Sequence, residues 1–153
     1  MTPRIVPFLM VAAALAGPLV AQAPRAVLVG RPVTDSLTAH DPVRRSVRTP
    51  YHVWQLEGHR GQRLVLELVS ADFDAYLIVR DPDGYTLGSD DDSGDELNSR
   101  LRVILARDGT YRVITTAVGD SARGRYTLTV SGWETPSVPP AGEAAALAIG
   151  DTK

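Results

Sequence analysis

Nine carboxylates lie in one stretch of this sequence, from Asp72 to Glu96, with Arg80 as the only basic residue between them. Carboxylates at this density can act as acid and base in hydrolysis or as ligands of a hard cation. Because the whole chain of 153 residues has a formal net charge of only −2, the acidity is local and gives no reason to expect a nucleic-acid partner. The nine are Asp72, Asp74, Asp81, Asp83, Asp90, Asp91, Asp92, Asp95 and Glu96.

The spacing of these residues predicts that most of them meet at one end of a sheet. If consecutive strands run antiparallel, the loop holding Asp72 and Asp74 shares an end with residues 90–96, while 81–84 turns at the other end. So many like charges repel unless a cation or solvent compensates them, and Ca²⁺ accepts roughly six to eight such oxygen ligands. We therefore predict a calcium site. Its leading ligands are Asp74, Asp91 and Asp92, followed by Asp72, Asp95 and Asn98.

A solvated acidic loop is the alternative interpretation. Asp and Asn side chains commonly cap turns by hydrogen bonding to the nearby backbone. Neither acidic segment matches the EF-hand loop, because the glycine of 81–84 comes too early and 90–96 lacks the spaced ligand pattern. Both interpretations stay open at this point.

Catalytic patterns are weak in this chain. The three histidines, His40, His52 and His59, show no metal-ligand spacing, and no serine lies in a nucleophile elbow. Asp72 and Asp74 have the residue types of a glycosidase acid and base, but two acids so close together more often form a turn. The prediction is a protein that is not an enzyme, with a small carboxylate-dependent hydrolase as the remote alternative.

Two further groups of residues are candidates for a binding surface. Four arginines fall on the outward phase of their predicted strands and could form a basic stripe for an acidic polymer, or simply a solvated face. They are Arg100, Arg102, Arg112 and Arg125. Three aromatic residues could form an exposed platform for collagen-like peptide or polysaccharide, or could pack in the core. They are Tyr51, Trp54 and Trp133.

The elements that must position these residues begin after an export signal. Arg4 precedes an apolar stretch at 5–20, and residues 21–23 form an A-x-A cleavage site. A transmembrane anchor is less consistent with the Gly-Pro pair at 17–18. Residues 1–23 are therefore predicted to be a signal peptide, so the protein is secreted or periplasmic, and it has no cysteine with which to form disulfides.

Alternation of apolar and polar residues with a period of two recurs through the rest of the chain, each run closed by turn residues. It predicts about eight short strands and an all-β antiparallel sandwich. The turns at 81–84 and 107–109 are interpreted as hairpins. The predicted strands are 33–37, 51–56, 63–70, 75–80, 85–89, 99–105, 110–118 and 125–130.

Several of these segments, taken together and in this order, resemble the bacterial pre-peptidase C-terminal domain. They are Asp72-Phe73-Asp74-Ala75-Tyr76-Leu77, Asp81-Pro82-Asp83-Gly84, Asp91-Asp92, Asn98-Ser99-Arg100-Leu101, Asp108-Gly109-Thr110-Tyr111 and 124–130. The resemblance covers roughly residues 29–132. It implies a jelly-roll-like β-sandwich related to collagen-binding modules, of the kind appended to secreted peptidases. No peptidase domain precedes the module in this chain, which departs from the usual arrangement.

The chain is thus predicted to hold one domain at 24–134, followed by a Pro- and Ala-rich tail at 135–153 that is either the start of a truncated second repeat or a short terminal segment. The predicted function is a non-catalytic secreted or periplasmic module that binds an extracellular protein or polysaccharide, or assists an exported peptidase. The alternative is a calcium-dependent module that binds collagen-like peptide or glycan. No nucleic acid and, once the signal is cleaved, no membrane is expected as a partner.

Overall fold

A computed structural model describes residues 25–120 and 122–133, which form nine β-strands. The predicted signal peptide at 1–23 and the tail at 135–153 lie outside the described residues. The strands are β1 (Arg25–Ala26), β2 (Val33–Leu37), β3 (His52–Gly58), β4 (Arg63–Val69), β5 (Ala75–Arg80), β6 (Thr86–Asp90), β7 (Ser99–Ile104), β8 (Gly109–Ala117) and β9 (Gly124–Gly132).

The strands form because one phase of each apolar alternation can be buried between two sheets. In β4 the side chains of Leu64, Leu66 and Leu68 are fully buried, while the intervening residues are partly or fully exposed. β3 and β9 repeat the pattern, β8 is buried on both faces from Val113 to Ala117, and the central strands meet in one hydrophobic core. Each fully buried leucine contributes roughly 1.5–3 kcal/mol relative to an exposed one. The predicted β-sandwich is therefore confirmed.

The two sheets have the strand orders β1-β3-β8-β5-β6 and β2-β9-β4-β7. Every pairing is antiparallel except that of the two-residue β1 with β3, which is parallel. All eight predicted strands are present within one or two residues of their predicted bounds. β1 was not predicted, because two residues are too few to show a period.

One predicted hairpin is confirmed and the other is wrong. Residues 81–84 join the antiparallel neighbours β5 and β6, with the amide of Gly84 donating to the carbonyl of Asp81 at 2.9 Å. Residues 107–109 instead join β7 to β8, which lie in different sheets. The backbone of Leu105 still bonds to Gly61 and Gln62, which extends the pairing of β7 with β4, and its side chain is buried in the core, so the chain passes to the other sheet only after this residue.

The connection between β2 and β3, residues 38–51, packs against the outer face of the five-stranded sheet. The hydroxyl of Thr116 donates to the carbonyl of Pro50 at 2.9 Å, and the hydroxyl of Thr49 donates to that of Gly119 at 2.6 Å. Ile78 and Ile114 point to this outer face and are nevertheless only 7% and 9% exposed. The connection, called here the 38–51 loop, therefore covers part of a surface that would otherwise face solvent.

In the described part of the chain, no helix has the length and hydropathy needed to cross a membrane.

Candidate binding groove and acidic end

The strand register aligns two rows of side chains across the outer face of the five-stranded sheet. Ile114 of β8 lies opposite Val53 of β3 and Ile78 of β5, which makes one row apolar. In the next outward row, Arg112 of β8 lies opposite Gln55 of β3 and Arg80 of β5. The rows are two residues apart along each strand, which is about 6.8 Å. An aliphatic strip thus runs beside a cationic strip. The apolar row is Val53, Ile114 and Ile78, and the cationic row is Gln55, Arg112 and Arg80.

The 38–51 loop turns this surface into a groove of about 760 Å³. The two isoleucines and Val53 lie along it, with Arg80 and Arg112 at one side and Tyr51 and residues 43–46 of the loop at the other. We call this site the sheet groove. Its size is within the range of small-molecule and peptide pockets in proteins. The residues that line it are Val43, Arg44, Arg45, Ser46, Tyr51, Val53, Ile78, Arg80, Arg112 and Ile114.

The charge of the sheet groove is positive and uncompensated. Four arginines line it, and none of its described lining residues is an Asp or Glu. The guanidinium of Arg44 stacks on the ring of Tyr76, 5.2 Å from its centroid. Within residues 25–120 and 122–133, no ion pair involves Arg44, Arg45, Arg80 or Arg112. The sheet groove can therefore offer free guanidinium groups beside aliphatic surface, a combination that suits a ligand carrying both carboxylate and apolar groups.

The predicted basic stripe does not exist as one surface. Arg112 belongs to the five-stranded sheet, whereas Arg100, Arg102 and Arg125 lie on the four-stranded one. Arg100 donates to Glu67 at 2.7 Å, and Arg102 stacks on Trp133 at 5.6 Å. The outward phase of all four is confirmed by their exposure, but period alone does not assign a strand to a sheet.

The three aromatic candidates are also separated. Trp54 is 7% exposed and belongs to the core, where its indole N–H donates to the hydroxyl of Tyr126 at 3.1 Å. Tyr51 lines the sheet groove. Trp133 lies between the guanidinium groups of Arg63 and Arg102, which are 5.8 and 5.6 Å from its ring centroid. A shared aromatic platform is therefore wrong.

The two acidic segments do lie at the same end of the sandwich. Leu77 of β5 pairs with Asp90 of β6, so the chain that follows Asp90 continues beside the start of β5, next to Asp74. The amide of Ala75 donates to the carbonyl of Leu97 at 2.9 Å, which holds the 91–98 loop at this end. At the opposite end, Asp81 and Asp83 are both paired with Arg107, and these contacts raise the pKa of that guanidinium.

Two of the six predicted ligands use a side-chain oxygen in hydrogen bonds to the nearby backbone. Asp72 accepts a hydrogen bond from the amide of Arg125 at 2.7 Å. Asn98 accepts one from the amide of Ser70 at 3.0 Å and donates to the carbonyl of Asp95 at 2.6 Å. The neighbouring Asp90 accepts hydrogen bonds from the amides of Ser93 and Arg100. Such bonds are expected if the segment is a solvated acidic loop whose Asp and Asn side chains stabilise turns, which is the alternative to a calcium site.

Asp74 differs from the other acidic residues of this end. Its Oδ1 atom is buried and has no hydrogen-bond partner, while its carbonyl accepts the amide of Val118 at 2.9 Å. Asp91 is exposed and lines a shallow cavity with Tyr76 and Val118. In the part of the chain that the structure describes, no three His, Asp or Glu side chains are close enough together to hold a metal ion. Calcium binding by Asp74, Asp91, Asp92, Asp72, Asp95 and Asn98 stays a prediction.

His52 is a buried histidine that contacts two polar side chains. It begins β3 and is buried, with Nδ1 2.6 Å from the hydroxyl of Tyr126 and Nε2 3.0 Å from Asp41 Oδ1. Burial, partly offset by hydrogen bonds from Thr115 and Trp54, raises the pKa of Tyr126 to about 12. Partial burial raises the pKa of Asp41, but hydrogen bonds from the amide and hydroxyl of Thr38 and the nearby imidazole of His52 together outweigh it, so the pKa is lowered.

The sheet groove was not predicted, although the sequence contains a signal for it. Arg80 stands out as the only base in the acidic stretch, and Arg112 was already assigned to an outward phase. Their juxtaposition depends on β5 and β8 being neighbours, which period-two patterning does not reveal.

Comparison with known proteins supports the assignment of the fold but does not identify a binding site. The sequence matches no protein-family model, and no curated protein matches it. Among solved structures, it is similar to the pre-peptidase C-terminal domain of a collagenase from Bacillus anthracis, with a TM-score of 0.51 and 11% identity over 71% of this chain and 94% of that domain. The resemblance predicted from the motifs is thus confirmed in the fold.

Two periplasmic inhibitors of g-type lysozyme, both named PliG, have similar structures. The one from Aeromonas hydrophila gives a TM-score of 0.52 and 16% identity over 72% of this chain and 100% of the inhibitor. The one from Salmonella Typhimurium gives a TM-score of 0.47 and 11% identity over 72% of this chain and 100% of the inhibitor.

Proposed function

We propose that this protein is a non-catalytic binding module of an exported system and that the sheet groove is its contact surface. The observation that carries the proposal is the pairing of unneutralised arginines with an aliphatic floor on an otherwise regular sheet face. On the outer face of the four-stranded sheet, by contrast, Arg100 is neutralised by Glu67. An apolar floor with a few convergent charged groups is instead characteristic of binding sites.

Two further lines support an exported, non-catalytic role. Residues 1–23 have the pattern of a signal peptide, and the similar structures include a domain of a collagenase and a periplasmic lysozyme inhibitor. His52 is buried beneath the surface, where it contacts Tyr126 and Asp41, so it is not placed to act on a substrate.

A binding panel tests the proposal. The purified chain is immobilised beside a double variant, Arg80→Gln with Arg112→Gln, and exposed to collagen, peptidoglycan, acidic polysaccharides, a secreted peptidase and g-type lysozyme. A partner retained by the parent chain and released by the double variant supports the proposal. Equal retention by both chains, or hydrolysis of a panel member by the chain itself, contradicts it.

The matched control is a second double variant, Arg63→Gln with Arg102→Gln. These two arginines flank Trp133 on the outer face of the other sheet, so the control removes the same charge from a different surface. It is expected to retain any partner of the sheet groove.

Calcium-dependent binding is a second candidate function, favoured by one observation. The Oδ1 atom of Asp74 is buried without a partner, and a buried carboxylate oxygen normally has a donor or a cation beside it. The 91–98 loop, which holds Asp91 and Asp92, returns to the same end of the sandwich. A bound Ca²⁺ there would order this loop and make binding of a partner sensitive to chelators.

Calorimetric titration of chelator-treated protein with Ca²⁺ tests this candidate. Heat of binding together with a raised melting temperature, both lost in Asp74→Asn, supports it. Absence of heat with an unchanged melting temperature removes it. Asp120→Asn is the control, because this exposed aspartate belongs to neither acidic segment.

A further inference from the structure

We propose that the occupant of the sheet groove is an extended acidic segment of a partner polypeptide, with an apolar side chain at one position and an Asp or Glu two positions later. This inference rests on the proposed function, since it names the ligand class of the same site. It follows from the spacing of the two rows, from the charge of Arg80 and Arg112, and from the chemistry of the floor.

The spacing of the rows matches an extended peptide. Along β8, Ile114 and Arg112 are two residues apart, and the same holds for Ile78 and Arg80 along β5. In an extended chain, side chains two positions apart lie on one face and are about 6.8 Å apart. A segment lying along the strand direction would therefore place an apolar side chain on the apolar row while its carboxylate reaches the guanidinium groups. The main apolar contact in that row is Val53, which is 36% exposed, because the 38–51 loop leaves only the edges of Ile78 and Ile114 uncovered.

The arginine pair is arranged to bind an anion. Arg80 and Arg112 are directly opposite each other on neighbouring strands, both are exposed, and both point away from the core. Like charges that face each other across a ladder destabilise a sheet. Within the described residues neither guanidinium has a carboxylate partner, so a carboxylate inserted between them would relieve this repulsion and accept charge-assisted hydrogen bonds.

The floor favours a polypeptide over an acidic polysaccharide. Its accessible apolar surface comes mainly from Val53, which is 36% exposed, and Val43, which is 49% exposed, because Ile78 and Ile114 are largely covered by the 38–51 loop. Such branched aliphatic side chains pack well against apolar side chains. An acidic polysaccharide could pair with the guanidinium groups, but it carries no aliphatic side chain to cover this apolar surface. One aromatic residue, Tyr51, lines the groove, and it lies on the loop wall. Charge and floor together select a partner segment that is both acidic and apolar.

Synthetic peptides of one composition and two patterns test the inference. One repeats Leu-Ser-Glu-Ser, which places Leu and Glu on the same face of an extended chain. The other repeats Leu-Glu-Ser-Ser, which places them on opposite faces. Polygalacturonate serves as the polysaccharide probe. Binding to the purified chain is measured by calorimetry, beside the double variant Arg80→Gln with Arg112→Gln and the control Arg63→Gln with Arg102→Gln.

The expected result is that the first peptide binds the parent chain, binds the control equally, and binds the double variant at least about tenfold more weakly. Circular dichroism checks that the variants keep their strands, as expected for exposed positions. Equal binding of the two peptides, preference for polygalacturonate, or self-association that the double variant abolishes would overturn the peptide assignment. If the panel described above yields a partner that depends on Arg80 and Arg112 while the first peptide fails to bind, only this inference falls. If neither experiment detects binding at the groove, the proposed function falls with it.

Discussion

The ring nitrogen Nδ1 of His52 lies 2.6 Å from the hydroxyl of Tyr126, and this contact joins the two sheets of the sandwich through the core. His52 belongs to β3 of the five-stranded sheet and Tyr126 to β9 of the four-stranded one. The same hydroxyl accepts the indole N–H of Trp54 at 3.1 Å. A buried hydroxyl with two partners is more costly to remove than an exposed one, because its partners are left without hydrogen bonds.

Tyr126→Phe is therefore expected to lower the free energy of unfolding by about 1–3 kcal/mol, mainly the cost of leaving Nδ1 of His52 without this partner, since the indole N–H of Trp54 keeps Thr115 as an acceptor at 3.3 Å. Urea unfolding followed by tryptophan fluorescence measures it. Tyr85→Phe is the matched control, since Tyr85 is 73% exposed and its change should stay within about 0.5 kcal/mol. Equal effects of the two substitutions would show that the buried hydroxyl contributes nothing specific.

Stability at alkaline pH should depend on Tyr126. Burial raises the pKa of its hydroxyl from 10.0 to about 12, so the folded state holds the proton more tightly than the unfolded chain. The stabilisation is complete below pH 10 and is lost as pH rises from 10 towards 12, with a slope of at most about 1.4 kcal/mol per pH unit. The free energy of unfolding of the parent chain should therefore fall more steeply with pH in this window than that of Tyr126→Phe. Parallel curves for the two proteins would contradict the assignment.

Stability at acid pH should depend on Asp41. Its pKa is lowered below 3.8 in the folded chain, where it accepts the amide and hydroxyl of Thr38 and contacts His52. The ionised carboxylate of Asp41 therefore contributes to the free energy of unfolding above pH 3.8, its pKa in the unfolded chain. This contribution is lost as the pH falls through the lower pKa of the folded chain.

Asp41→Asn should cost about 1–2 kcal/mol at neutral pH, and the difference from the parent chain should shrink below pH 3.8. Denaturant unfolding across this range measures both quantities. Asp120→Asn, at an exposed position, is expected to have little effect at any pH. A difference between Asp41→Asn and the parent chain that persists unchanged in acid would exclude the ionised carboxylate as its source.

Gly124 is expected to resist substitution. Its φ is +142°, and a β-carbon at this position would overlap the side chain of Asp72, whose carboxylate accepts the amide of Arg125. Gly124→Ala should lower the free energy of unfolding by about 1–3 kcal/mol through crowding. Gly132→Ala, in the same strand with open space at the β-carbon, is the control and should be close to neutral. Thermal unfolding of the two variants compares them directly.

Local pattern was sufficient for the strands and their faces. The alternation at 63–70 correctly assigned Leu64, Leu66 and Leu68 to the core, and Asp81-Pro82-Asp83-Gly84 correctly gave a hairpin. The common end of Asp74 and the 91–98 loop also follows from two consecutive antiparallel strands. These features depend on residues that are near one another in the chain, so neighbouring side chains and turn chemistry suffice to predict them.

The sequence alone thus determined the extended segments, the inward and outward phase of each, and the turn between β5 and β6. Only the tertiary structure decided that β8 lies between β3 and β5, and with it that Arg112 faces Arg80 beside an aliphatic row. The physical reason is that the alternation of apolar and polar residues specifies which face of a strand is buried but does not specify which other strand pairs with it. That choice is made by packing two sheets around one core, through contacts between residues far apart in the chain.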